Sequence, residues 1–269
     1  MTVVPVLTYH HVAPDQQVTP KAFEDHLRWL KERGYRTLRL SDLEQHVSGA
    51  KPAPARSLML TFDDAYADTW VYAHPLLKKY GMTAVLFIPT AFPSITPVQR
   101  LTGADGGSIA DTHTMERGFD GFLSWGEIKA MGASGVWEFG SHTHTHRCFN
   151  PETAYAPFED ELIVSRKTIE SKTGQPCFAF AWPWGQVVDE WTGRLAKCGY
   201  RLAFANPSVR AEPGTDPLRL SRYRGCQARI SWLKGVMEPG QDAVVTRAPA
   251  KPRRTQRRAA RPTLRISKN

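Results

Sequence analysis

The chain has 269 residues, 41% of them hydrophobic, enough for one sizeable buried core with residues to spare. No apolar run reaches the roughly 18 residues of a transmembrane helix, which argues against a membrane-spanning chain. The net charge of +9 is matched by nine lysines and arginines between Arg247 and Lys268, a stretch without a single acid, so the remainder is neutral and does not read as a nucleic-acid-binding surface.

Short apolar runs alternate with capped amphipathic stretches along the chain, the pattern of an α/β domain. Residues 3–9 read as a first strand. Thr19-Pro20 supplies an N-cap and a proline at the first helical position, Phe23, Leu27 and Leu30 recur at helical spacing, and Gly34 ends that helix. Ser41-x-x-Glu44 reads as a capping box opening a short helix that ends near Gly49. A buried strand is expected over 57–62, a helix over 69–80 closed by Gly81, and a strand over 82–88 ended by Pro89. Gly, Pro, Thr and Asp clusters predict a long irregular loop over 91–121. Ser124-x-x-Glu127 is a second capping box. Strands over 136–139, 178–181 and 201–205 then alternate with helices over 157–173 and 187–198.

A folded domain over 1–240 and a basic, disordered tail over 241–269 follow, because Pro, Arg and Ala without periodicity cannot build a core. Weak contact with an anionic membrane is the partner such a tail suggests. The first residues carry neither a basic segment nor a long apolar run, so no signal peptide is expected and the cytoplasm is the expected compartment. Cys148, Cys177, Cys198 and Cys226 show no paired spacing, and a disulfide framework is not expected.

Two clusters carry chemistry. Asp63-Asp64 directly follows an apolar run, where adjacent carboxylates are costly without a cation. Neighbours at a strand end point in different directions, which allows the two acids different tasks. His142, His144 and His146 follow another expected strand. In extended backbone His142 and His146 would stand about 13 Å apart, too far to share an ion at about 2.0–2.1 Å. A turn or helix start brings positions i and i+4 together and aims His144 elsewhere. Phe180-Ala181-Trp182-Pro183-Trp184-Gly185 and Thr8-Tyr9-His10-His11 end two further strands. Strands that carry polar residues at their C-terminal ends suit a β/α barrel or an open parallel sheet.

Together these segments resemble the polysaccharide deacetylase family, the NodB-homology or carbohydrate esterase 4 group. Thr61-Phe62-Asp63-Asp64 is similar to its first motif and Ser141-His142-Thr143-His144-Thr145-His146 to its second. The resemblance spans roughly residues 3–225. It implies a distorted (β/α) barrel, a metal-dependent hydrolase of sugar acetamides, Asp63 as the base, and Asp64, His142 and His146 as ligands of a divalent metal. Zinc is the first expectation for that metal, with cobalt or nickel as alternatives. The chain departs from the family twice. Ala181 stands where the third motif has the arginine that braces the base, and no histidine follows His146 to serve as the acid.

The Tyr9-His10 pair and Trp182-Pro183 resemble the permuted branch typified by poly-N-acetylglucosamine deacetylases, which implies His10 as general acid, with His11 the second candidate. The backbone N–H near Trp184 is implied as oxyanion donor. Trp125, Trp182 and Tyr66, besides Trp184, are candidates to meet a sugar. The expected activity is acetamide hydrolysis on an N-acetylated sugar or polysaccharide of the cell envelope, giving acetate and a free amine. The alternative is a catalytically silent homologue that holds metal or glycan, favoured by the missing motif-three arginine.

Overall fold

The computed structural model describes residues 3–95, 99–107, 121–147, 149, 157–205, 211–223 and 227–238. The basic tail, Cys148, Cys226 and most of the second half of the expected 91–121 loop lie outside the described residues.

Eight parallel strands form the frame: β1 (Val6–Tyr9), β2 (Arg36–Thr37), β3 (Ser57–Asp63), β4 (Ala84–Ile88), β5 (Trp137–Ser141), β6 (Ala179–Ala181), β7 (Leu202–Ala205) and β8 (Leu220–Ser221). They pair in the order β1-β3-β4-β5-β6-β7-β8, with β2 against the start of β3. The circle is nearly closed beyond β8. The Tyr223 N–H donates to the Val6 carbonyl (2.7 Å) and the Thr8 N–H donates to the Tyr223 carbonyl (3.2 Å). A distorted barrel results, and the expected open-sheet alternative is set aside.

Period-two alternation along the strands divides the core in two. Val6, Met59, Val85, Phe87, Ala181, Phe204 and Leu220 share the barrel interior. Their neighbours Leu7, Leu60, Phe62, Leu86, Phe180 and Ala203 face outward into the layer beneath the helices. That layer is covered by α1 (Pro20–Glu32), α3 (His74–Tyr80), α4 (Trp125–Ala133), α5 (Phe158–Thr173), α6 (Thr192–Lys197) and α7 (Ile230–Met237). The helix α2 (Leu40–Val47) instead sends Leu40, Leu43 and Val47 into the interior cluster, beside the N-terminal ends of the strands.

Local signals set several boundaries. Thr19 caps α1, its hydroxyl accepting the Ala22 N–H (3.2 Å). Ser124 and Glu127 form the expected reciprocal box at the start of α4. Ser41 does not open its helix. The N-cap of α2 is Arg39, two residues earlier, where the Asp42 carboxylate accepts the Arg39 N–H (3.2 Å) and Glu138 accepts the Leu40 N–H (2.9 Å). A tertiary partner, Glu138, thus fixes that end. The expected helix over 69–80 is a wide π-type turn, Thr69–Ala73, running into α3. The expected helix over 187–198 is a 3-10 turn, Asp189–Trp191, followed by α6. The short β2 and β8 and the helix α7 have no counterpart in the sequence reading. Cys177 and Cys198 are free thiols, and no described helix is long and apolar enough to cross a membrane.

Two histidines tie this outer layer to acid stability. His26 meets the Tyr9 hydroxyl (3.1 Å), and His74 Nδ1 accepts the Trp137 indole N–H (3.0 Å). Burial lowers each to about 4. An unfolded chain protonates them near 6.5, so stability is full above that pH and falls as pH drops toward 4. Each contributes at most about 3 kcal/mol to that loss. Urea midpoints are expected to fall between pH 7 and pH 4.5, with a shallower slope in His26→Gln. An unchanged slope in that variant would show that His26 is not a source of the loss.

Candidate active site

The C-terminal ends of the parallel strands gather the polar residues. β1 delivers His10, β3 delivers Asp63 and Asp64, β5 delivers His142, β6 leads to Trp184, and β8 delivers Arg222. They line a cavity of about 250 Å³, together with Thr8, Tyr66, Phe92, His146 and Gly185. This is the barrel end at which loop chemistry is ordinarily built. The backbone bends sharply around it. Asp64, Ala65, Thr143, His146 and Trp184 all have left-handed φ, between 55° and 71°. Such strain at non-glycine residues persists only where the surroundings over-determine it.

Asp64, His142 and His146 offer ligand atoms that lie within 4.8 Å of one another. Asp64 Oδ1 stands 3.2 Å from His146 Nε2 and 3.6 Å from His142 Nε2. Ligand atoms at zinc-type bond lengths in a tetrahedron are separated by about 3.3 Å, so the spacing fits a cation between them. The same buried Oδ1 accepts no hydrogen bond among the described residues. His142 Nδ1 is 2.8 Å from the Ala181 carbonyl. A carbonyl only accepts, so the proton sits on Nδ1 and Nε2 turns its lone pair toward Asp64. Burial, and then the charge of Asp63, push Asp64 up to about 6, a cost that a bound cation relieves. Burial also lowers His142 to about 3, favouring the neutral imidazole that coordination requires. The donor set therefore suits a divalent cation.

Asp63 is 3% exposed and meets the guanidinium of Arg222, itself 2% exposed, through two parallel bonds: Nη1 to Oδ1 (2.7 Å) and Nη2 to Oδ2 (2.8 Å). Burial alone would raise the Asp63 carboxyl, but the Arg222 guanidinium overrides it and holds the group well below the usual range. Arg222 was missed in the sequence. It supplies from β8 the bracing cation that Ala181 cannot supply from β6. The available signal was slight: Leu220 and Arg222 share the inward parity of a strand only two residues long.

His10 lies at the cavity mouth, its side chain 41% exposed and its Nε2 3.9 Å from Asp63 Oδ2. His11 turns away to Asp68 (2.6 Å) and stacks on Tyr66 at 3.7 Å between ring centroids. His144 also points elsewhere, to the Thr90 hydroxyl (2.8 Å). Tyr66 lines the cavity beside Asp64, and burial together with that carboxylate raises its phenol to about 12. Trp184 is 56% exposed, its ring 5.5 Å from that of His146.

Two residues expected as sugar contacts lie apart from the cavity lining. Trp182 is 1% exposed and stacks on Phe158 (5.4 Å), because it shares the outward parity of Phe180. Trp125 is 8% exposed in the outer core and does not line the cavity.

A barrel with paired carboxylates and two histidines at its C-terminal mouth has the arrangement of a hydrolase. The family model for polysaccharide deacetylase matches residues 50–203, and the chain belongs to that family. It is 27% identical over 230 residues to the Bacillus subtilis protein YxkH, covering 85% of this chain and 71% of that one. It is 25% identical over 214 residues to the poly-β-1,6-N-acetyl-D-glucosamine N-deacetylase of Staphylococcus aureus, covering 76% of this chain and 66% of that one. The fold is shared with the deacetylase PplD of Streptococcus pyogenes (TM-score 0.69, 23% identity, 88% of this chain and 99% of that one). It is also shared with IcaB of Ammonifex degensii (TM-score 0.67, 22% identity, 82% and 91%).

Proposed function

We propose that this deacetylase hydrolyses the acetamide of an N-acetylated sugar polymer with the help of a divalent metal, zinc first, held by Asp64, His142 and His146. The observation that carries the reading is the convergence of those three donors beside a carboxylate locked to Arg222, in one cavity. A bound ion supplies a Lewis acid that polarises a carbonyl and lowers the pKa of water. Asp63, kept ionised and oriented by Arg222, takes the proton of the attacking water. The backbone N–H at Trp184, a residue that lines the cavity, is the proposed donor to the developing oxyanion. His10 gives a proton to the leaving amine, because an amide anion is too basic to depart unaided. The exposed Trp184 ring, with Phe92 also lining the cavity, offers an apolar face for a pyranose.

The silent-homologue alternative drew its support from the missing motif-three arginine, and Arg222 removes that support. The test is acetate release from β-1,6- and β-1,4-linked N-acetylglucosamine oligomers. Release is expected from zinc-loaded protein, with loss on chelation and recovery when zinc returns. Zinc-loaded protein that leaves the whole set acetylated would overturn the reading.

A further inference from the structure

The turn that carries His142 and His146 is not a helix, although the two histidines are four residues apart. They converge across a turn in which Thr143 (φ 68°) and His146 (φ 55°) are left-handed. At its start Ser141 Oγ accepts the Thr143 N–H (3.1 Å), and toward its end Thr143 Oγ1 accepts the His146 N–H (3.0 Å). Between them stand the His144 and Thr145 amides. Both donate to one oxygen of Glu161, at 2.7 and 2.8 Å, while the Thr145 hydroxyl donates to the other oxygen at 2.7 Å. Among the described residues, Glu161 accepts from both amides.

Glu161 belongs to the first turns of α5, is buried, and does not line the cavity. Two successive backbone N–H groups closing on one anion form a nest, which holds the chain in a bent conformation it would otherwise leave. We propose that Glu161 is a positioning residue that fixes the strained turn and thereby the spacing of His142 and His146. The inference rests on the metal-site reading above. Residues that orient ligands in this indirect way change metal affinity by about 10–100-fold when removed.

The experiment is zinc titration calorimetry on wild type, Glu161→Ala, Glu161→Asp and Glu161→Gln, with the melting temperature of each metal-free protein measured alongside. Glu161→Ala and Glu161→Asp are expected to bind zinc about 10–100-fold more weakly, since the first has no acceptor and the second is one methylene too short. Glu161→Gln keeps an oxygen for both amides and an N–H for the Thr145 hydroxyl, and should stay close to wild type. A purely structural role would lower the melting temperature and leave the affinity of the folded protein unchanged. If Glu161→Ala does not fold, the order of Glu161→Asp against Glu161→Gln decides. Folded Ala or Asp variants that bind zinc as tightly as wild type overturn the inference alone. A wild type that binds no zinc overturns the metal-site reading and the inference with it.

Discussion

Asp63→Asn is expected to lower kcat for acetate release by about 10²–10⁴-fold, the range for removing a general base. The substitution keeps the side-chain shape and removes the charge. Because Asp63 is outside the proposed ligand set, zinc affinity should change little, which separates this variant from changes at Asp64, His142 or His146. A second effect follows from Arg222. Its guanidinium is buried against Asp63 and would keep its charge while losing its counter-charge. Breaking a buried ion pair by removing one partner costs about 3–5 kcal/mol. Asn still accepts one bond, so the loss should fall at or below the lower end of that range. Thermal melting beside the activity assay reads both effects. A folded, zinc-binding Asp63→Asn protein with near wild-type turnover would show that another group acts as base.

Arg222→Met is expected to reduce kcat by about 10²-fold, the scale associated with misplacing a reacting group by about 1 Å. The apolar replacement leaves the Asp63 carboxylate buried without its main cation, free to rotate and to take up a proton. Arg222→Lys should recover only part of the loss, because an ammonium cannot make the two parallel bonds. Stability gives an independent readout. Each single variant leaves one buried partner unmatched, whereas Asp63→Asn with Arg222→Met leaves a neutral pair. The double variant is therefore expected to melt above the value obtained by adding the single losses, with a coupling of about 1–3 kcal/mol. Additive losses, or full turnover in Arg222→Met, would remove the bracing role given to this arginine.

Asp63 and Arg222 differ greatly in how visible they are in the sequence. Asp63, Asp64, His142 and His146 stand in short segments at the ends of apolar runs, where their chemistry draws notice and the family resemblance supplies their expected roles. Arg222 lies far along the chain, in a strand of two residues flanked by other arginines, where alternation has no length over which to show itself. Trp182 shows the converse. Its neighbours made it a plausible sugar contact, but the pleat of β6 sends it outward with Phe180, while the left-handed turn two residues later puts Trp184 at the rim.

By itself the sequence determined the alternation of strands and helices, the caps at Thr19 and Ser124, the two acid and histidine segments and the family resemblance. These depend on residues near one another in the chain, where propensity, periodicity and capping act. Only the tertiary structure decided that the sheet closes through Tyr223, that Glu138 accepts from the start of α2, that Arg222 pairs with Asp63 and that Glu161 accepts from the histidine turn. Each of these is a bond between segments brought together by barrel closure or helix packing, and nothing local to either partner encodes the distance between them.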